Sequence, residues 1–166
     1  VPGVVNSPIS PSEHVRYDHA LQRATENVKQ LLDVAAKVNV DLCIENVWNG
    51  LFYSPVEMAQ FVDSFKHPKL GVYFDVGNGL GYQQWPPHWI EILGERIKRI
   101  HIKDFKENFN WIGAYAFCDL MSGSVPWQET MSALRAIGYD KTVVAEMMPW
   151  DPTLLARTSK AMDHIM

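Results

Sequence analysis

Apolar residues along this chain recur with two periods, one typical of amphipathic helices and one typical of buried strands. From residue 17 to residue 38, apolar side chains return every three or four positions, which predicts a long helix with one buried face. Proline and glycine signals delimit four further predicted helices, at about residues 55–65, 86–94, 126–137 and 152–165.

Short, nearly continuous apolar runs lie between these helices. They predict strands at residues 40–44, 71–74, 97–102 and 142–145, with a long aromatic-rich connection over residues 105–124. Strict alternation of apolar strands with helices is typical of a parallel sheet covered by helices. No glycine-rich dinucleotide fingerprint follows any of the strands, which argues against a Rossmann fold.

Each of the four predicted strands ends in, or just before, a side chain that can bind a metal. These residues are Glu45, Asp75, His101 and Glu146. Parallel strands separated by helices bring their carboxyl ends to one face, so the four side chains can converge there. A solvent-facing strand end explains any one of them alone, but four together predict a site. Its oxygen and nitrogen ligands suit one divalent ion such as Mn, Co, Mg or Zn.

The same four residues predict a reaction class. A bound ion with open positions can hold two substrate oxygens, polarise a carbonyl and acidify the neighbouring C–H bond. Glu45 and Glu146 come from well-separated strands, so we expect them to lie on opposite faces of a bound sugar. One glutamate would remove a proton and the other would return it, which is epimerisation or isomerisation through an enediolate without a redox cofactor.

Residues near the predicted ligands are candidates for substrate binding: Asn46, Trp48, Asn49, Asn78 and Lys103. Trp48 can stack on a sugar face or pack at the rim of the fold. Lys103 can offer a cation to a substrate oxyanion or pair with Asp104 or another neighbouring carboxylate. The sequence alone leaves both pairs of alternatives open.

The segment Ser122-Gly123-Ser124 precedes the predicted helix at residues 126–137. Its backbone N–H groups can bind an anion such as a phosphate. Alternatively, Ser124 simply caps the helix, because serine is a preferred N-cap residue. Both interpretations are consistent with the sequence.

Composition limits the class of protein. The chain has 166 residues, 47% of them hydrophobic, which suffices for a single domain over residues 1–166 with a substantial core. A net charge of −4 without basic clusters argues against a nucleic-acid partner. Cys43 and Cys118 fit no disulfide or metal spacing. No signal peptide or membrane-length apolar run is visible, so we expect a cytoplasmic protein without a membrane partner. The partner that we expect is the small-molecule sugar substrate of the predicted metal site.

Four motifs resemble those of the sugar phosphate isomerase/epimerase family, in the xylose-isomerase-like TIM-barrel superfamily. They are IENVWN from residue 44, FDVGN from residue 74, HIKD from residue 101 and AEM from residue 145. The resemblance implies a (β/α)8 barrel with one divalent metal bound by the matching Glu, Asp, His and Glu. It further implies that Glu45 and Glu146 are the catalytic acid/base pair.

The chain departs from the free-ketose 3-epimerases of this superfamily, such as tagatose 3-epimerase. That branch has a Glu, a His and an Arg where this chain has Leu51, Asn78 and Glu107. The motifs DVGN at residues 75–78 and HIKD at residues 101–104 are more similar to those of the L-xylulose-5-phosphate 3-epimerase and hexulose-phosphate branch. The resemblance therefore implies a sugar or sugar-phosphate substrate.

The family barrel has eight βα units in roughly 250 residues. This chain is therefore expected to cover the carboxyl-terminal part, from about the end of the fourth strand to the eighth helix. A partial barrel has open sheet edges, so we expect either a truncated chain or two chains that complete each other as a homo-oligomer.

Other functions remain open alternatives to epimerisation. A metal-dependent dehydratase of the inosose dehydratase type would use the same residues, and an inactive partial barrel would bind metal without turnover. An endonuclease-IV-like enzyme is disfavoured, because its three metals need more histidines at strand ends than this chain has.

Overall fold

The computed structural model describes Val5, residues 14–107 and residues 116–166. The described strands are β1 (Leu42–Glu45), β2 (Leu70–Asp75), β3 (Ile97–Ile102), β4 (Asp104–Lys106), β5 (Ala116–Cys118) and β6 (Val143–Ala145). The described helices are α1 (Tyr17–Lys37), α2 (Pro55–Ser64), α3 (Pro86–Leu93), α4 (Trp127–Ala136) and α5 (Leu154–Ile165). Each predicted helix and strand is thus present, with ends displaced by a few residues.

Four of these strands form one parallel sheet in the order β1-β2-β3-β6. Helices connect the strands, so the parallel arrangement predicted from the apolar runs is confirmed. The register pairs Glu45 with Tyr73, Asp75 with His101 and Ile102 with Ala145. Asp75 and His101 therefore lie level with each other at the carboxyl edge of the sheet, whereas Glu45 lies level with Tyr73, two residues before Asp75.

Strict alternation of strands and helices was a wrong expectation for the connection after β3. There β4 and β5 pair as antiparallel strands, and Phe105 lies opposite Phe117. The two rings meet edge to face with their centroids 5.4 Å apart. Aromatic cross-strand pairs of this kind stabilise short strands. Residues 108–115 of the connection lie outside the described residues.

The two sides of the sheet differ in character. On β2 and β3, Phe74, Ile100 and Ile102 are fully buried on the side that carries the helices. Side chains alternate between the two sides of a strand, so Asp75 and His101 lie on the opposite side. This separation leaves one side for the apolar core and the other for polar chemistry.

Candidate metal centre

The four predicted ligands converge at the carboxyl edge of the sheet. One ligand atom from each of Glu45, Asp75, His101 and Glu146 lies within 4.8 Å of all the others. His101 Nδ1 is 3.0 Å from Glu45 Oε1, 3.9 Å from Asp75 Oδ2 and 4.0 Å from Glu146 Oε2. Four side chains spread over residues 45–146 thus form one compact group.

Backbone hydrogen bonds continue beyond the strand ends and fix Asp75 and Glu146 relative to β3. Beyond the end of β2, the Val76 N–H donates to the His101 carbonyl at 3.1 Å. Beyond the end of β6, the Glu146 N–H donates to the Ile102 carbonyl at 3.1 Å. Because the ladder continues past the strand ends, Asp75 and Glu146 cannot slide along the sheet relative to His101.

The donor set fits a divalent cation. Oxygen and nitrogen ligands that share one ion at about 2.0–2.3 Å lie no more than roughly 4 to 4.6 Å apart, close to the separations seen here. Asp75 is fully buried, and no described residue gives its Oδ2 a well-aligned hydrogen bond. The Lys103 ammonium, 3.2 Å from this buried oxygen, neutralises it only in part, since the pKa of Asp75 stays raised, and a bound divalent ion would supply the further positive charge. These four residues therefore form a group that can hold a metal ion.

Asp75 is also electrostatically unusual. Burial raises the pKa of its carboxyl group to about 6, and the nearby charge of Glu45 acts in the same direction. The ammonium of Lys103 and the Asn78 N–H oppose this rise without cancelling it. Perturbed carboxyl groups of this kind are concentrated at functional sites.

Lys103 joins the cluster as its cation. Its side chain is buried, and its Nζ lies 3.2 Å from Asp75 Oδ2 and in contact with Glu146 Oε2. Of the two sequence interpretations, pairing with carboxylates is therefore present, with Asp75 and Glu146 rather than Asp104. The Nζ also lies 4.6 Å from the centroid of the Phe117 ring, a cation–π contact.

The pairing with Lys103 keeps Glu146 ionised. Burial alone would raise the pKa of the Glu146 carboxyl group, but the hydrogen bond and charge of Lys103 outweigh it and lower the pKa. Burial likewise would lower the pKa of Lys103, but Asp75 and Glu146 raise it. At neutral pH Glu146 is a carboxylate and Lys103 is an ammonium.

Asn46 and Asn78 hold Asp75 in place through hydrogen bonds. The Asn46 amide donates to the Asp75 carbonyl at 2.8 Å and accepts from the Asp75 N–H at 2.7 Å. The Asn78 N–H donates to Asp75 Oδ1 at 2.7 Å, and its side chain donates to the Asn46 carbonyl at 2.9 Å. Asn49 accepts a hydrogen bond from the Leu51 N–H at 3.0 Å. Contact of these asparagines with a substrate remains a prediction.

Trp48 is packed within the fold. Its ring stacks on Phe117 with centroids 4.9 Å apart and an interplanar angle of 22°. The indole N–H donates to the Asn78 carbonyl at 2.9 Å. A Cβ at Gly81 would lie 2.5 Å from the ring, so a glycine is needed there. These contacts favour the packing interpretation, and stacking of Trp48 on a sugar remains a prediction.

Neither interpretation of residues 122–124 is supported. The backbone N–H groups of this segment all donate within the protein: Ser122 to the Asp119 carbonyl, Gly123 to Asp104 Oδ2 and Ser124 to the Phe105 carbonyl. They are therefore not free to bind an anion. Helix α4 has Pro126 as its N-cap residue, without a side-chain cap, so Ser124 does not cap it.

Two aromatic residues of the site were missed by the sequence analysis. The Tyr73 ring lies against the His101 ring, with centroids 3.9 Å apart, and the Phe117 ring lies beneath Lys103. Tyr73 precedes Asp75 by two positions, and strand alternation places it on the same side of the sheet. Phe117 gave no such signal, because its strand was not predicted.

Residues 2–165 match the family model described as xylose isomerase-like TIM barrel. The match covers almost the whole chain, so this protein belongs to that family. Both the fold class and the family inferred from the four motifs are thereby confirmed.

The known proteins that this chain resembles are named for different reactions. A curated 3-oxo-isoapionate decarboxylase of Pectobacterium atrosepticum is 29% identical over 98 residues, which are 57% of this chain and 36% of that protein. The D-psicose 3-epimerase structure from Clostridium cellulolyticum H10, with D-tagatose, superposes with a TM-score of 0.76 at 22% identity. That match covers 95% of this chain and 59% of the epimerase.

A third relative carries a metal. A xylose isomerase-like TIM barrel protein from Mycobacterium smegmatis, in complex with magnesium, superposes with a TM-score of 0.66 at 22% identity. The match covers 97% of this chain and 51% of that protein. This chain thus spans about half of the length of the structures it matches, and at these identities they show the fold alone. Among the described residues, no helix is long and apolar enough to cross a membrane.

Proposed function

We propose that this protein is a divalent-metal-dependent isomerase or epimerase acting on a sugar or sugar phosphate by proton transfer through an enediolate. One observation carries the proposal: Glu45, Asp75, His101 and Glu146 present ligand atoms within 4.8 Å of one another. The magnesium complex of the Mycobacterium smegmatis relative is consistent with a hard divalent ion at such a site. The epimerase neighbour supports the reaction class.

Proton transfer would be the work of the two glutamates. A divalent ion held by the four ligands would polarise the substrate carbonyl and acidify the adjacent C–H bond. One of Glu45 and Glu146 takes that proton, and the other returns a proton to the opposite face of the same carbon. Glu146 is ionised and so can accept the proton, although the contact with Lys103, which lowers its pKa, makes it a weaker base.

The remaining predicted residues would orient the substrate. Lys103 brings a buried positive charge beside Glu146, where it can stabilise oxygen that gains negative charge during the reaction. Asn46 and Asn78 hold Asp75 in place, and Asn49 and Trp48 belong to the same segment after β1. We propose that this segment forms one wall of the sugar site.

Replacing Glu146 with Gln tests the proposal. We expect Glu146→Gln to abolish exchange of the substrate's carbon-bound proton with solvent, because the amide cannot accept a proton. The measurement is deuterium incorporation from D2O, followed by NMR, over a panel of free ketoses and their 5- and 6-phosphates. Glu129→Gln, an exposed substitution on α4, is the matched control and should exchange as the wild type does. Retained exchange in Glu146→Gln would refute the proposed role.

A second candidate reaction has support from the decarboxylase relative. Loss of carbon dioxide from a 3-oxo acid, or loss of water from a β-hydroxy ketone, also passes through an enolate beside a carbonyl, which the same centre would stabilise. Product mass separates the candidates. Epimerisation leaves the mass unchanged, whereas dehydration or decarboxylation lowers it by one water or one carbon dioxide.

A further inference from the structure

The candidate metal centre includes a positively charged side chain of the protein, that of Lys103. Three carboxylates, from Glu45, Asp75 and Glu146, converge with one ammonium, that of Lys103. Lys103 Nζ contacts the oxygens Asp75 Oδ2 and Glu146 Oε2, which are the same oxygens that lie 3.9 and 4.0 Å from His101 Nδ1. Lys103 therefore contacts the same carboxylate oxygens of Asp75 and Glu146 that would bind the metal ion.

We propose that Lys103 is a positioning residue that competes with the divalent ion for Asp75 and Glu146, and so sets the affinity of the centre for metal. In the metal-free protein it holds both carboxylates in place. When the ion is bound, the Lys103 ammonium would stay beside it as a second positive charge and weaken the binding of the ion. This inference rests on the metal centre of the proposed function.

The position of Lys103 leaves its ammonium little room to withdraw. Lys103 is only 5% exposed, and its Nζ lies over the Phe117 ring, 4.6 Å from the ring centroid. A Cβ at Gly77 would lie 2.9 Å from the Lys103 carbonyl oxygen, so that segment packs directly on the lysine backbone. On the other side, the next residue, Asp104, is fixed by hydrogen bonds from four N–H groups.

Electrostatics gives the direction of the effect. An ammonium that stays a few ångströms from a divalent ion repels it appreciably, even at the effective dielectric constant of a protein interior. Removal of the ammonium also frees two carboxylate oxygens from an existing partner. A purely structural lysine would behave differently, because its loss would disorder the carboxylates and weaken metal binding.

The test measures binding of Mn2+ alone, by calorimetry, to the whole protein and to Lys103→Met. We expect the variant to bind Mn2+ roughly tenfold more tightly or better, since a buried like charge is removed. Lys106→Met is the matched control, because Lys106 is exposed and three residues further along, and its affinity should remain within about twofold of the wild type. Unchanged or weaker Mn2+ binding by Lys103→Met would overturn the inference.

A variant that unfolds without metal is still informative. In that event we expect Mn2+ to restore the helical circular dichroism of Lys103→Met, because the ion replaces the lost counter-charge. Failure of Mn2+ to restore it would overturn the inference.

The result is distinguishable from failure of the proposed function. Absence of Mn2+ binding by the wild type removes both proposals. Mn2+ binding that Lys103→Met leaves unchanged removes only this one, since proton exchange is measured separately.

Discussion

Two fully buried aspartates of this protein, Asp75 and Asp104, have opposite environments. Asp104 accepts hydrogen bonds on both oxygens, from the N–H groups of Phe105 and Val125 and from those of Gly123 and Trp127. Asp75 accepts one on Oδ1, whereas its Oδ2 has the ion pair with Lys103 and, among the described residues, no well-aligned hydrogen bond. The saturated carboxylate is structural, and the unsaturated one is the candidate ligand.

At the residue scale, Asp104→Asn should therefore destabilise the fold. One carboxylate oxygen becomes an NH2 group that faces N–H donors, so two buried donors lose their acceptor. We expect the free energy of unfolding to fall by about 2–4 kcal/mol, measured by urea denaturation. Asp163→Asn, an exposed change on α5, should cost less than about 0.5 kcal/mol. A similarly small loss for Asp104→Asn would contradict the structural role.

At the scale of elements, charge links strands that do not pair with each other. Asp41, which precedes β1, lies 3.0 Å from the Lys98 ammonium of β3 and 3.8 Å from that of Lys69. Lys98 also contacts the Pro68 carbonyl, just before β2. The hydrogen bond from Lys98 is the main reason that the pKa of Asp41 is lowered.

This link predicts a pH-dependent contribution to stability. The folded pKa of Asp41 lies below its ordinary value of 3.8. The stabilisation is therefore present above pH 3.8 and is lost as the pH falls through the folded pKa. The ion pair is partly exposed, so Asp41→Asn should cost only about 0.5 kcal/mol at pH 7.

The check is urea denaturation of wild type and Asp41→Asn at pH 7 and at a series of acidic pH values below 3.8. We expect the difference at pH 7 to shrink as the pH falls through the folded pKa of Asp41, because the aspartate of the folded wild type then also becomes protonated. Asp33→Asn, at an exposed position on α1, serves as the control. A difference that persists unchanged in acid would show that the ion pair is not its source.

The elements that could be predicted from the sequence are those formed by local periodicity. Helix α1 begins at Tyr17 as predicted, because its apolar stripe and its burial have the same period. Strands β4 and β5 could not be predicted, because they are three residues each and depend on the meeting of Phe105 and Phe117. Such pairing is decided by tertiary contact rather than by propensity.

The candidate site was predictable to a similar extent. Each ligand lies within one residue of the carboxyl end of a strand, and parallel strands share one carboxyl edge, so the cluster could be predicted from the order of the elements. The partners of Lys103 did not follow, because the sequence neighbour Asp104 is turned towards backbone N–H groups instead. Side-chain direction at a strand end depends on packing that a single sequence does not specify.

At the scale of the whole molecule, the candidate metal-binding cluster takes its residues from the carboxyl end of every strand of the parallel sheet. Glu45 lies on the outer strand β1 and Glu146 directly follows the outer strand β6, while Asp75 and His101 lie on the inner strands β2 and β3. The ligands come together only in the folded protein, so an ion bound there stabilises the fold as a whole. It should also reduce opening of the outer strands, which have fewer neighbours in the sheet.

Addition of Mn2+ should therefore stabilise the whole protein by an amount that grows with the logarithm of the free Mn2+ concentration above Kd. At a free concentration one hundred times Kd, the expected gain is about 2.7 kcal/mol in the free energy of unfolding. Hydrogen exchange should slow in β1 and β6 together, because one ion holds both. Asp75→Asn keeps the Oδ1 acceptor for the Asn78 N–H but removes the charge, so it should lose most of this gain, whereas Asp163→Asn should keep it. If Mn2+ protected only one of the outer strands, the four side chains would not share a single ion, and a centre with fewer ligands would have to be considered instead.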